Sequence, residues 1–411
     1  MTRSEDFDFV RDGTSILNVI NDVIGNPQAF VPLHEPEFSP SSWDMVKDCL
    51  DSGWVSSIGK YVDRFENDIA EACSTSQAVA VVNGTAALQV ALMVCGVQPN
   101  DEVIIPSLTF VATANAVVHA GAVPHFVDSN QNNFGLAVEA LQSHLNTIAE
   151  RRGEETYNQI TGRRISAIVP MHVFGHPVDM DPLLALAKDY GLSVVEDAAE
   201  ALGSTYKGRA CGSLGQMGVL SFNGNKILTT GGGGALVTND PNLAKRAKHL
   251  TTTAKVSHRW AFEHDAVAFN YRMPNLNAAL GCSQLQELNN RINQKRQLAQ
   301  SYAQAFAHLE GVEFIQEPPN CQSNYWLNTL RLKTDNPSQR EHLLGLLNDH
   351  QIMARPVWTL LHRLPMFANC PKSECTVAEK LEMQLINIPS SAHLAGDLHP
   401  SRIQTLDLSS N

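Results

Sequence analysis

Between residues 77 and 240 the chain repeats one pattern: a short, largely unbroken apolar run, a turn, then a segment with helical spacing. The runs are Ala78–Val82, Glu102–Ile105, Val123–Val127, Ile165–Val169 and Leu192–Val195. Helical segments follow at Ala86–Cys95, Val111–Ala120 and Asp181–Tyr190. Strands that are apolar throughout, rather than at every second position, are buried on both faces. Joined by helices, they predict an α/β fold with a mostly parallel sheet covered on both sides. Ligands of such sheets bind beyond the carboxyl ends of the strands, which directs attention to the residues just past each run.

The flanking regions read differently. Residues 1–30 form a peripheral arm with a short amphipathic helix (Ile16, Leu17, Ile20, Val23, Ile24) suited to packing or a dimer contact and not to chemistry. Residues 31–280 make up the large domain. Within it, 140–164 is polar and is expected to be a helix plus a surface excursion between the third and fourth strands. A long helical stretch over 275–310 leads into a small α+β domain over 281–411. That domain is expected to hold a strand at Trp326–Leu332 and helices at Ser338–His350 and near Thr376–Leu385.

Net charge is −12, which argues against nucleic acid or an anionic membrane as the main partner. A phosphate ligand stays possible, because helix N-termini and a few local cations bind one in an acidic protein. The start of the chain, Met1–Gly13, lacks an apolar core of the kind a signal peptide has, and no run of about 20 apolar residues occurs, so the expected location is the cytoplasm. The eight cysteines are scattered, mostly in apolar runs, and read as free thiols of a reducing compartment. Cys370 and Cys375 have no second pair nearby, and His172 and His176 are flanked by Pro170, Gly175 and Pro177, so no metal site is expected.

Three stretches past the strands carry chemistry. Asn83-Gly84-Thr85 opens a helix, with Thr85 as a good N-cap, and its free N–H groups suit a phosphate; alone it is more simply an ordinary β–α turn. Asp197 ends a buried strand, where a carboxylate needs a partner: either a protonated pyridinium nitrogen or the first amides of the next helix. Lys226 precedes four glycines, Gly231 to Gly234. A lysine there can form an imine with a carbonyl cofactor and then move protons, or it can be an ordinary surface lysine in a flexible loop.

Taken together these stretches resemble the DegT/DnrJ/EryC1/StrS sugar aminotransferases, over about residues 31 to 392. The resemblance rests on Asn83–Leu88, Asp101–Thr113, Glu196–Glu200, Ser221-Phe222 with Lys226, and Asn270–Met273. It implies a fold-type I, aspartate-aminotransferase-like architecture and a pyridoxal 5'-phosphate cofactor. It implies Lys226 as the Schiff-base lysine and Asp197 as partner of the pyridinium nitrogen. It places Glu200 near the phenolic oxygen, Phe110 stacked on the ring, and Gly84, Thr85 and Ser221 around the phosphate. Asn270 would reach the phosphate of a second subunit, giving a homodimer with composite sites. Relatives with His in place of the lysine are dehydratases, so Lys226 favours transamination.

Further stretches resemble the 4-aminotransferases of bacillosamine and legionaminic acid pathways: Ser52–Ser57, Pro170–Met180, Thr251–Lys255 and Asn324–Asn328. They imply glutamate as donor and a UDP-linked 2-acetamido-2,6-dideoxy-4-keto-hexose as acceptor. A GDP-4-keto or dTDP-3-keto sugar is the alternative, and a non-catalytic sugar-nucleotide sensor is another. A sensor needs no imine-forming amine, and a nicotinamide epimerase would need a G-x-G-x-x-G turn that Asn83–Leu88 does not supply. His172, Arg259, Arg272 and Arg355 are substrate candidates. Arginine offers a forked donor to phosphate, but each of the three arginines reads equally well as an ion-pair or solvated residue.

Overall fold

The structure, a computed structural model, describes residues 9–395. Its largest sheet contains β1 (Gln77–Val81), β2 (Glu102–Pro106), β3 (Val123–Val127), β4 (Arg164–Ile168), β5 (Ser193–Asp197), β6 (Met217–Ser221) and β7 (Gly234–Thr238). They lie side by side as β1-β7-β6-β5-β4-β2-β3. From β6 to β3 all pairings are parallel. The exception is β7, which runs antiparallel between β1 and β6. The first apolar run of the sequence therefore lies at one edge, beyond the parallel set.

The polar segment after β3 differs from the expected excursion. Its helix Val138–Ile148 is present, but the chain then forms a hairpin, Ala149–Arg152 with Glu155–Asn158, that adds antiparallel to β4. Half-exposed antiparallel strands tolerate polar residues, so the apolar signal of a buried strand is missing there.

Both faces of the sheet are covered. On one lies a core that includes Val81, Leu88, Leu92, Ile105, Phe126 and Val195. The helix Gly84–Val94 is buried almost all round within it. Elsewhere Phe65 and Phe222 meet edge to face at 5.1 Å. Helix Asn275–Gln286 packs on them at Gly281, where a Cβ would lie 2.5 Å from the Phe65 ring.

The long helical stretch is two helices, Asn275–Gln286 and Leu288–Phe306, broken at Glu287 (φ −98, ψ −3). The break lets one continuous segment serve two cores. Its first half buries Ala278, Ala279 and Cys282 against Phe65 and Phe222. Its second half buries Leu298, Ala299, Tyr302 and Phe306 with Ile16, Leu17 and Ile20 of helix Phe9–Val23. The same core takes in the small antiparallel sheet β8 (Val312–Phe314), β9 (Asn328–Leu332), β10 (Arg355–Pro356) and β11 (Leu385–Ile388), ordered β8-β9-β11-β10. The N-terminal helix thus belongs structurally to the C-terminal core. Each fully buried isoleucine of that helix contributes roughly 1.5–3 kcal/mol of apolar burial.

Candidate active site

Asp197 is the last residue of β5, at the carboxyl edge of the parallel strands, and is almost fully buried. Thr113 Oγ1 donates to its Oδ2 at 2.8 Å, and the Ala199 N–H donates to Oδ1 at 3.2 Å. Thr109 Oγ1 lies 2.9 Å from Thr113 Oγ1, continuing the chain of hydroxyls. Burial pushes the Asp197 pKa up; these hydrogen bonds and the charge of Lys226 oppose the rise.

Lys226 stands on the connection between β6 and β7. Both ends of that connection are pinned: Ser221 pairs with Gly234, the Phe222 N–H donates to the Gly233 carbonyl at 2.8 Å, and Thr230 N–H donates back to the Phe222 carbonyl at 3.0 Å. The ammonium Nζ lies 3.1 Å from Glu200 Oε1 and 3.8 Å from the centroid of the Trp326 ring. Trp326 is fixed in turn by donating its indole N–H to the Asn225 carbonyl at 2.7 Å.

Glu200 completes this group. Burial pushes its carboxyl up to about 7, against the pull of Lys226. Its other oxygen, Oε2, accepts the Phe174 N–H at 2.9 Å. Phe174 makes that contact from a left-handed backbone, φ 56, which costs a non-glycine residue roughly 1–3 kcal/mol. Rings of Trp358 (5.1 Å) and Phe134 (6.3 Å) hold it there.

The turn after β1 corrects one expectation. Asn83, and not Thr85, caps the helix Gly84–Val94: it is extended (φ −169, ψ 167) and its Oδ1 accepts the Ala86 N–H at 2.8 Å. Thr85 is therefore inside the first turn. The amides of Gly84 and Thr85 have no carbonyl ahead of them in the helix to accept their hydrogens. Gly84 also faces Ser221 so closely that a Cβ would come within 3.0 Å of the serine Cβ. Phe110, half exposed, stands just before helix Val111–His119 with its ring 6.2 Å from Trp358.

The remaining candidates lie elsewhere. His172 is fully buried; its Nδ1 accepts the Val178 N–H at 3.1 Å, so Nε2 carries the hydrogen that donates to Glu196 at 3.0 Å. Arg272 is buried in an ion pair with Glu66 at 2.7 Å, an arrangement that matches the structural role weighed for it against phosphate binding. Asn270 is exposed and bridges to Thr252. Arg259 is exposed over the ring of Trp260, and Arg355 is exposed at the start of β10. Lys226, Asp197 and Glu200 are thus brought together, as are Gly84 and Ser221, whereas Asn270, Arg259 and Arg355 stand at the surface of this single chain.

Sequence reading did not single out Thr113, Phe174 or Trp326 for this group. Thr109 and Thr113 are four apart across a helix start, a spacing that places both hydroxyls on one face and could have flagged them.

The residues fit an aromatic aldehyde bearing a phosphate. The Gly84 notch and its amides suit the phosphate, Asp197 suits a ring nitrogen, the open face of Phe110 suits stacking, and Lys226 offers the amine.

Comparison with known proteins agrees with that fit. The description of the DegT/DnrJ/EryC1/StrS aminotransferase family matches residues 38–402. The chain is 36% identical over 368 residues to the GDP-perosamine synthase of Escherichia coli O157:H7, covering 90% of this chain and 95% of that one. It is 35% identical to the putative pyridoxal phosphate-dependent aminotransferase EpsN of Bacillus subtilis (strain 168), covering 91% and 94%. The crystal structure of the aminotransferase TlmJ from Streptoalloteichus hindustanus superposes with a TM-score of 0.79 at 28% identity, covering 88% and 93%. The chain belongs to the DegT/DnrJ/EryC1/StrS aminotransferase family: it is a pyridoxal-phosphate-dependent sugar aminotransferase of fold-type I architecture.

Proposed function

We propose that this family member transfers the amino group of L-glutamate to C4 of a UDP-linked 2-acetamido-2,6-dideoxy-4-keto-hexose. The product would serve a bacterial surface glycan or a nonulosonic acid of the legionaminic or bacillosamine type. The observation that carries the reading is the placing of the Lys226 amine between the Glu200 carboxylate and the face of Trp326, within electrostatic reach of Asp197.

Bound at this site, pyridoxal phosphate supplies an aldehyde that takes up the amine and a ring that delocalises the electron pair left on carbon. The chain does the rest. Asp197, oriented by Thr113, holds a proton on the ring nitrogen. Gly84, Thr85 and Ser221 grip the phosphate, and Phe110 covers one face of the ring. Lys226 Nζ moves the proton in both half-reactions. Glu200, titrating at about 7 and 3.1 Å from that amine, shares the proton near neutral pH.

A homodimer with composite sites belongs to the same reading, with Asn270 reaching the partner's phosphate. Its support is the segment leading to Asn270, which exposes Trp260 (74%), Phe262 (80%) and Val267 (93%). Arg259 and Arg355, both at the surface, are the cations we assign to the diphosphate.

A second reading has a specific support. GDP-perosamine synthases from Escherichia coli O157:H7 and Caulobacter vibrioides are 36% and 35% identical to this chain. A GDP-linked 4-keto sugar is therefore the alternative acceptor. The deciding experiment mixes the pyridoxamine form of the enzyme with UDP-, GDP- and dTDP-linked keto sugars and follows return of the aldehyde absorbance. Return with the UDP-linked 4-keto sugar alone supports the first reading; return with the GDP sugar alone replaces it. No return with any of them removes the sugar-nucleotide assignment.

A further inference from the structure

Glu200 receives its backbone N–H from a turn, residues 172–178, that is held in an unfavourable shape. Phe174 is left-handed (φ 56, ψ 16), and so is Gly175 (φ 95). A non-glycine residue keeps this conformation only where its surroundings enforce it. The far side of the turn is held by Ser204 and Ser323, whose hydroxyls donate to the Gly175 carbonyl at 2.8 and 3.0 Å. The near side is closed by His172.

His172 is fully buried and closes the turn with its own ring. Its backbone N–H donates to the Asp197 carbonyl at 3.1 Å, and its Nδ1 accepts the Val178 N–H at 3.1 Å. Residues 173–177, Phe174 among them, lie between these two bonds. The ring is kept from swinging away by Nε2, which donates to Glu196 at 3.0 Å. Glu196 is fixed in turn by three backbone N–H groups, from Gly212 at 2.8 Å and from Leu214 and Gly215 at 2.6 Å. Four donors on a fully buried carboxylate make a rigid anchor. The reaction proposed above uses neither His172 nor Glu196.

Glu200 lies at the other end of this arrangement. The charged groups that act on it are Lys226, which favours its ionised form, and Asp197, which opposes it. Besides the Lys226 ammonium, the Phe174 N–H is the donor to its carboxylate among the described residues. Burial pushes the carboxyl up to about 7, and the Phe174 N–H holds it back. With so few donors, the carboxylate is sensitive to the aim of each.

We propose that His172 is a positioning residue: by closing the turn through Nδ1 it aims the Phe174 N–H at Glu200, and so sets how readily the Glu200–Lys226 pair takes or gives up a proton. The inference deepens the reading of that pair given above and rests on it. It moves His172 from the residues that would touch substrate to those that act through the backbone.

The test begins in the cofactor-free protein. Trp326 lies 3.8 Å from Lys226 Nζ, so its fluorescence follows the charge state of the pair; the signal of Trp326→Phe is subtracted as the blank. Wild type should show a transition with its midpoint at about pH 7. His172→Ala should raise the midpoint by about one pH unit, the roughly tenfold gain in proton affinity that follows when a carboxylate loses an N–H donor. His172→Asn keeps an acceptor near the place of Nδ1 and should titrate like wild type. His172→Gln keeps a donor toward Glu196 but no acceptor for Val178, and should shift like alanine. If the alanine variant does not fold, the asparagine–glutamine pair decides. A merely structural role lowers the denaturation midpoint without separating these two. No shift in the glutamine variant, an equal shift in the asparagine variant, or a wild-type signal without a transition near neutrality overturns the proposal. In the cofactor-loaded enzyme the same upward shift should appear in the pH profile of kcat for amine transfer from glutamate, with KM little changed. A shift in fluorescence without one in kcat upholds the positioning and sinks the proton-sharing role given to Glu200.

Discussion

Two buried glutamates stand at opposite ends of the same parallel strands, and they behave in opposite ways. Glu102 opens β2 and is fully buried. Burial raises its pKa, but the hydrogen bonds outweigh this and leave it low. His125 Nδ1 donates at 2.8 Å, Thr161 Oγ1 at 2.5 Å and Asn158 Nδ2 at 2.9 Å. Glu200, beyond the carboxyl end of β5, receives one backbone N–H and one ammonium, and burial carries it up to about 7. Glu102 has more donors and Glu200 is the more deeply packed, and both differences push the two carboxyls apart. A carboxylate saturated with donors stays ionised and is part of the scaffold. One left short of donors keeps a proton available near neutrality and is part of the chemistry.

The sharpest way to break this contrast is at Lys226. Lys226→Ala should lower the rate of both half-reactions by at least ~10³, the loss expected when a positioned proton carrier is removed. Borohydride should then no longer fix the cofactor to the peptide carrying residue 226, as seen by mass spectrometry. Turnover within tenfold of wild type would end the proposed proton role. Asp197→Asn should cost ~10²–10³ in kcat, typical of losing one preorganised electrostatic partner, with little change in the denaturation midpoint.

At the other end, Glu102→Gln should cost about 3 kcal/mol of stability in denaturant, because His125 and Asn158 lose their charged acceptor. Its kcat per folded molecule should stay within about twofold of wild type, as expected for distant, independent sites. A large kcat loss with stability intact would erase the distinction between the two ends.

Acid should expose a third buried group. His176 is fully buried with neither ring nitrogen hydrogen-bonded among the described residues, and burial lowers its pKa to about 4. The fold accepts only the neutral ring. Stability is therefore full above the unfolded value of about 6.5 and falls as pH drops toward 4, by about 3 kcal/mol in all. Denaturant midpoints of wild type and His176→Phe across pH 4–7 check this; equal slopes would assign the acid loss elsewhere. The smallest effect should come from Thr113→Val. Losing the hydrogen bond to Asp197 should cost roughly tenfold in kcat, or ~1.4 kcal/mol, with the cofactor still bound.

The sequence made the sheet's parallel core legible because β2 to β5 are largely buried on both faces and are mainly apolar, with most of their polar residues at the strand ends. It did not show β6 and β7, short runs containing or starting with glycine, nor the hairpin at 149–158, whose exposed face is polar. The break at Glu287 was hidden because no proline or glycine marks it; two separate cores pull the segment apart. In the site, Asp197 and Glu200 could be found because they lie at and just past the end of a recognisable strand, and Lys226 because Ser221-Phe222 precedes it and four glycines follow it. Trp326 and Phe174 could not, since they reach Lys226 and Glu200 only through contacts 100 and 26 residues away in the chain. Asn83 outcompetes Thr85 as cap because its extended backbone aims Oδ1 at the Ala86 amide, a matter of geometry that residue type leaves open.

The tether on either side of Lys226 has an evolutionary consequence. Since Ser221 and Gly234 are paired neighbours in the sheet, residues 222–233 form a closed loop whose ends are held without help from the lysine side chain. A different side chain can occupy position 226 and leave the surrounding architecture standing. Descendants of this chain can therefore lose or exchange their reaction in a single step while inheriting an intact body.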